Sequence, residues 1–311
     1  MGKINIGGQA VIEGIMMRSP KYISTVIRRA NGELENKTYK FEPITKRFKI
    51  LGLPIIRGFV SLVETMKIGV STLNWSGDKA IEDEKISKGE NIEKKEGIFQ
   101  KIVNMVGSSV VLLLALALFM YIPYLISDKL KLMGENELSF NLLAGIIRIV
   151  FLVGYIYVIS LMEDVKRVFQ YHGAEHKSIY CFEKGKELTV ENVKKESRFH
   201  PRCGTSFILI VAINTILLFA ILDTIIVGNY GEYSSVITRV LTHLMFIPLV
   251  AGISFEVLKL SDKFSSVPVI NLIIKPGLWL QKLTTREPDE KQIEVGIESI
   301  KLSTKYLEEE K

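Results

Sequence analysis

Residues 141–162 read NLLAGIIRIVFLVGYIYVISLM, an apolar run whose sole charge is Arg148. A helix crossing the hydrocarbon of a bilayer needs about 20 consecutive apolar residues, so this run predicts a membrane-spanning helix. Three more stretches qualify, at 103–126, 206–227 and 238–258, the third of the four carrying Asp223. A charge at such depth faces the bundle interior or snorkels outward. The composition agrees: 48% of residues are apolar, yet Lys and Arg total 40, for a net charge of +6. Mean hydropathy is +0.24. Apolar spans alternating with charged cytoplasmic segments produce that mixture. The first hundred residues contain no short apolar core followed by a small-residue cleavage site, so no cleavable signal peptide is expected.

The basic residues set the expected orientation. Residues 1–101 hold 18 Lys or Arg, the loop 163–205 holds nine, and residues 259–311 hold nine. The loop 127–140 has only Lys129 and Lys131, and 228–237 has none. By the positive-inside rule both termini and the central loop lie in the cytoplasm, and the plasma membrane is the expected location. Cys181 and Cys203 then face a reducing compartment as free thiols or metal ligands, not a structural disulfide. Basic residues beside anionic headgroups account for the positive charge, and no basic stripe with interleaved aromatics predicts nucleic-acid binding.

Ten residues past the 141–162 span comes His172-Gly173-Ala174-Glu175-His176, which uses two of the four histidines in the chain. It reads H-x-x-E-H, the inverse of the zinc-protease helix motif. On a helix the two imidazoles share a face and Glu175 sits beside them, placed as a base toward metal-bound water. The periodicity of Leu161, Val165, Val168, His172, Glu175 and His176, expected on one face, predicts that the span's helix continues through the motif, with Gly173 weakening it. The plainer alternative is that both histidines hydrogen-bond to carboxylates.

The predicted fold is mainly α: a polytopic membrane protein of four transmembrane helices, a small β-rich cytoplasmic cap at the N-terminus, and interfacial amphipathic helices. The cap covers 1–52, where Tyr22–Arg29 and Leu34–Phe41 flank the hairpin dipeptide Asn31-Gly32. The preceding stretch 6–18 is too glycine-rich for a plain strand or helix and lacks the Gly-Lys-Ser/Thr of a phosphate loop. Residues 53–76 form an interfacial or re-entrant helix led by Pro54, since Arg57, Glu64 and Lys67 would be costly at mid-bilayer. Residues 77–100, nearly all charged or small, read as a flexible linker. The transmembrane core spans 101–260, including the loop 163–205. Residues 261–311 hold an interfacial segment, broken at Pro276-Gly277, and an amphipathic helix capped by Asp289 and Gln292, with Ile293, Ile297, Ile300 and Leu307 on its apolar face.

Several ligand types gather at the cytoplasmic level. His172 and His176 follow the second span, His200 and Cys203 precede the third, and Glu256 ends the fourth. A catalytic zinc needs three protein ligands and a structural one four. The expected set is His172, His176 and one of Glu256, His200 or Cys203, with a divalent metal, zinc first, as cofactor. Cys203 would favour a closed Cys/His site; Glu256 equally suits pairing with an arginine at a helix end. His243 belongs toward the outer side, away from this group. Arg57, Arg202, Glu13 and Arg18 are candidates for a substrate or lipid headgroup, or, for Glu13 and Arg18, for a structural pair. Cys181 alone reads as a packing residue.

Long strings carry a family resemblance: GGQAVIEGIMMR (7–18), Arg57-Gly58, YHGAEHKSIYCFE (171–183), HPRCGTSF (200–207), PLVAGISFE (248–256) and PGLWLQKLTTREPDEKQIEVGI (276–297). They resemble the DUF1385 family, also called the YqhQ family, over nearly the whole chain outside the linker. The resemblance implies a multi-pass membrane protein of a kind described as a predicted metal-dependent enzyme.

Two functions are expected. One is a metal-dependent hydrolase near the inner leaflet, with Glu175 catalytic. The other is a non-enzymatic membrane factor, a helper of membrane-protein assembly or a lipid-interacting scaffold, with a membrane-protein partner. A transporter is a weaker third reading, because four spans with no evident inverted repeat make a small transport core. Oligomeric state and substrate are not legible in the sequence.

Overall fold

A computed structural model describes residues 6–89, 98–130, 137–263 and 268–305. The N-terminal cap is an antiparallel meander of β1 (Gly7–Val11), β2 (Gly14–Arg18), β3 (Tyr22–Arg28) and β4 (Leu34–Lys40). The glycine-rich stretch is therefore a regular hairpin, contrary to its composition. Its glycines answer close approach: a Cβ on Gly14 would stand 2.3 Å from the Val26 carbonyl oxygen. The turn is closed by Glu13 at φ 54°. The Asn31-Gly32 hairpin forms as expected, with Gly32 at φ 89°.

Helices follow in the order α1 (Ile44–Arg47), a short 3-10 turn at Lys49–Gly52, α2 (Ile56–Ser87), α3 (Ile98–Leu116), a π turn at Ala117–Tyr121, and α4 (Ile122–Leu130). Then come α5 (Glu137–Ile159), α6 (Glu163–Glu183), α7 (Val190–Lys194), α8 (Gly204–Tyr230), α9 (Val236–Lys263), α10 (Pro268–Thr284) and α11 (Glu290–Thr304). Among the described residues four helical stretches are long and apolar enough to cross a membrane: Val106–Leu130, Glu137–Ile159, Ile208–Tyr230 and Val236–Leu260. They lie close to the four spans read from hydropathy.

Alternation along the sheet builds two cores. Ile15, Met17 and Val26 face α6 and α11, packing with Tyr171, Ala174, Ile179, Val295 and Ile300. Val11, Met16, Ile23 and Ile27 face α2 through Ile68 and Trp75. The sheet is thus the middle layer between one helix from the N-terminal third and two helices from the middle and end of the chain.

Four local expectations change. The charged stretch from 77 is helical to Ser87, not a linker, because its charges have partners: Asp83 accepts from Arg29 Nε at 2.9 Å and the Ala30 N–H at 2.8 Å, and Lys79 pairs with Glu35 at 3.1 Å. Of the rest of that proposed linker, 90–97 lies outside the described residues and 98–100 begin α3. The α5 helix stops at Ile159 and does not run on into the motif. Met162 adopts an extended conformation and α6 starts afresh, its new N-terminus favoured by Glu163 and Asp164 in the first turn. The α10 helix runs unbroken through Pro276; packing on α8 holds it together where the proline removes one backbone bond. The amphipathic α11 has its expected Asp289/Gln292 capping box, but Ile293, Ile297 and Ile300 are buried against the protein and not at a membrane interface. Leu307 lies outside the described residues.

Within the span-length helices several polar residues gather around Asp223. Asp223, fully buried, accepts from His243 Nε2 at 2.7 Å, Tyr233 OH at 2.8 Å and Asn141 Nδ2 at 2.8 Å. Tyr124 OH bonds the other His243 nitrogen, and the Arg148 guanidinium lies 4.2 Å over the Tyr124 ring. Arg148 and Asp223 both turn into the bundle, as buried charge requires. His243 lies in this group, apart from the other three histidines.

Candidate metal centre

Three side chains from two elements converge where α6 passes the start of α8. His172 and His176 project one turn apart from α6, their ring centroids 4.4 Å apart. Cys203 is the N-cap of α8, its Sγ accepting the Thr205 N–H at 3.5 Å. His172 Nε2, His176 Nε2 and Cys203 Sγ supply one donor atom each, all within 4.8 Å of one another, and this is the one His/Cys/Asp/Glu group among the described residues that could hold an ion.

The backbone sets both imidazoles. His172 Nδ1 lies 2.8 Å from the Thr284 carbonyl, and His176 Nδ1 lies 2.5 Å from the Arg198 carbonyl. A carbonyl only accepts, so each Nδ1 carries the proton and each Nε2 presents a lone pair. His172 Nε2 reaches Cys203 Sγ at 3.2 Å. A thiol has one proton to give, so it can serve one imidazole, and His176 Nε2 is buried without a hydrogen-bond partner. Burial holds the His176 pKa below the usual histidine value.

Sequence reading missed the source of the first of these carbonyls, and what braces the second. The segment Thr284–Glu287 crosses α6 as a strap: the Arg286 N–H donates to the Phe169 carbonyl at 2.8 Å, and Arg198 Nη1 donates to the Thr285 carbonyl at 2.6 Å. A Cβ at position 173 would stand 2.0 Å from the Arg286 carbonyl oxygen. Gly173 is the mark of this crossing, a glycine in mid-helix admitting another backbone.

The remaining candidates lie elsewhere. Glu175 is buried and points at β1, accepting the Gly8 N–H; burial raises its pKa above the usual carboxylate range. His200 is outside the donor group: its ring packs on Tyr180, Nδ1 accepts the Arg202 N–H at 3.2 Å, and Nε2 lies 3.4 Å from Glu183. Burial lowers its pKa as well. Glu256 is not with the histidines; it takes a bidentate pair from Arg57, with Nε at 2.7 Å and Nη2 at 2.5 Å. Arg202 pairs with Glu183. Glu13 and Arg18 do not pair with each other. Glu13 binds Arg167 and the Tyr171 hydroxyl, while Arg18 stacks 4.3 Å over Phe41. Glu13 sits in the turn that opens β2 and Arg18 ends that strand opposite Gly7, so the length of the strand separates them. Cys181 is free and buried among Val193, Ile293 and Ile297, as a packing residue.

A four-helix apolar bundle joined to a helix–sheet–helix layer, with a His/His/Cys cluster at the junction, defines the class. The chain belongs to the DUF1385 family, described as a protein of unknown function, whose sequence model matches residues 53–306. It is 35% identical over 297 residues to the uncharacterized protein YqhQ of Bacillus subtilis (strain 168), covering 94% of this chain and 90% of that one. No solved structure matches it.

Proposed function

We propose that the chain is a multi-pass protein of the plasma membrane, with both termini cytoplasmic, that uses His172, His176 and Cys203 to bind a divalent metal and hydrolyses a substrate at the inner leaflet. One observation carries the reading: two imidazoles with their Nδ1 protons held by carbonyls aim bare Nε2 atoms at one thiol, and one of them has no partner. Donors around a zinc ion at 2.0–2.3 Å stand roughly 3.3–3.6 Å apart, close to the 3.2 Å between His172 and Cys203. Two imidazoles and a thiolate suit zinc, and the carbonyl contacts are the outer-shell support that ligating histidines generally have. Zinc with three protein ligands supplies an activated water and a Lewis acid at its fourth position.

The residues of this chain would do the rest. Cys203 stands five positions before the apolar stretch that starts at Ile208, about 7.5 Å of helix, which supports a site close to the membrane surface. Glu175, one position from His176, is the carboxylate this reading assigns to take and return a proton, a role that requires it to leave the Gly8 N–H it accepts. Elemental mass spectrometry of the detergent-purified protein tests the site. Near-equimolar zinc, iron or manganese is expected in the wild type and none in His172→Ala/His176→Ala. Absence of metal from wild type purified without chelator would sink the proposal.

A second reading has its own observation. Glu175 bonds the Gly8 backbone, which suits a structural ion inside a non-enzymatic membrane factor with a membrane-protein partner. Glu175→Gln separates the two. A hydrolase loses function and keeps its metal, whereas a structural site leaves a deletion strain fully complemented.

A further inference from the structure

We propose that α2 and the segment before it form an amphipathic blade that lies on an anionic lipid surface, independent of the metal site and resting on the membrane reading above. The α2 helix has two apolar faces. One, with Ile68 and Trp75, is covered by the sheet. The opposite one, Ile56, Val63, Met66, Val70 and Leu73, follows helical spacing, with steps of seven, three, four and three residues, and is exposed, Met66 to 59%. The lead-in continues it: Phe48, Ile50 and Leu53 are exposed, Ile50 to 73%. A soluble surface rarely leaves so long an apolar stripe bare.

The stripe begins where the apolar bundle ends. Arg57 pairs with Glu256, four residues before the apolar stretch of α9 stops at Leu260. Backbones meet there too: a Cβ on Gly58 would stand 2.8 Å from the Gly252 carbonyl oxygen, and one on Gly252 would stand 2.4 Å from that of Ile55. The start of α2 is therefore pinned to the end of a span.

Charge selects the occupant. Between Pro43 and Gly77 the sole acidic residue is Glu64, against Lys46, Arg47, Lys49 and Lys67, with Arg57 already paired to Glu256. Glu64 is buried and accepts the Ile44 N–H at 2.9 Å, tying the lead-in to the helix. The surface presented beside the stripe is thus apolar and basic, the combination that binds anionic headgroups while burying apolar side chains at the acyl boundary. Acidic residues return from Asp78 onward, where the helix pairs with the β3–β4 turn instead.

Four spans would keep the protein in the membrane whatever α2 does, so depth is the readout. Trp75 and Trp279 are replaced by Phe in the full chain, single Trp reporters are placed at Ile50, Met66 or Ile221, and each protein is reconstituted in vesicles of phosphatidylcholine and phosphatidylglycerol. Ile221, exposed on α8, reports the span. Brominated acyl chains are expected to quench Ile50→Trp and Met66→Trp, as they do Ile221→Trp, while aqueous iodide quenches neither. Brominated phosphatidylglycerol should quench Ile50→Trp about two-fold more than brominated phosphatidylcholine at equal mole fraction. Iodide quenching of Met66→Trp would assign the stripe to water, and protection from both quenchers to a second copy or a protein partner; either overturns the proposal. Failure of Ile221→Trp to be quenched would remove the membrane reading itself.

Discussion

His172 Nε2 and Cys203 Sγ lie 3.2 Å apart although 31 residues separate them. The intervening chain leaves α6, turns through α7 and returns at the first residues of α8, so the third donor arrives from the base of a different helix. Of Glu256, His200 and Cys203, it is Cys203 that lies beside the two imidazoles, and this follows from where α8 begins relative to α6.

Metal removal should destabilise the fold. A ligand present at about 100 times its Kd stabilises the native state by about 2.7 kcal/mol. Chelator treatment of wild type is expected to lower Tm in a detergent melt, with no change in His172→Ala/His176→Ala. A chelator-insensitive wild-type melt would count against a bound ion.

Glu256→Gln should retain full metal content, because its carboxylate is held by Arg57 and not by the histidines. The pair is 29% and 20% exposed, so solvent screening keeps its worth small, about 1 kcal/mol or less in a double-mutant cycle with Arg57→Ala. Loss of metal in Glu256→Gln would restore it as a ligand.

Gly173→Ala should destabilise despite alanine's better helix propensity. The gain of roughly 1 kcal/mol from propensity is outweighed by a methyl 2.0 Å from the Arg286 carbonyl oxygen, a backbone atom that cannot swing away. Overpacking of this kind costs about 1–3 kcal/mol or more. The expected result is a lower Tm with reduced metal content, since the same strap supplies the carbonyl that orients His172. An unchanged or raised Tm would show that the strap does not press on α6.

Asp223→Ala should cost more than Asp223→Ala combined with His243→Phe costs beyond His243→Phe alone. The single change strands donors from His243, Tyr233 and Asn141, each buried orphan costing about 1–3 kcal/mol. Removing the imidazole as well removes one of those orphans. Equal, additive penalties in detergent melts would mean that the two residues do not act as a unit.

Much of the fold was legible because its signals are local. Hydropathy placed the four long helices within a few residues, Asn31-Gly32 marked its hairpin, and Asp289 with Gln292 marked the start of α11. Charge was the misleading signal. Composition reads 78–87 as solvated chain, and only the sheet supplies Arg29 and Ala30 as partners for Asp83. Glycine misled at 6–18, where it records backbone approach and not irregularity.

The sequence by itself determined that two imidazoles stand one turn apart with a carboxylate beside them, because helical spacing is a property of neighbouring residues. Only the tertiary structure decided that Cys203 joins them and Glu256 does not, and that Ile293, Ile297 and Ile300 meet α6, α7 and the sheet and not a bilayer. An apolar helix face has the same period whichever apolar surface covers it. A ligand's third partner depends on how distant helices pack, which no local pattern encodes.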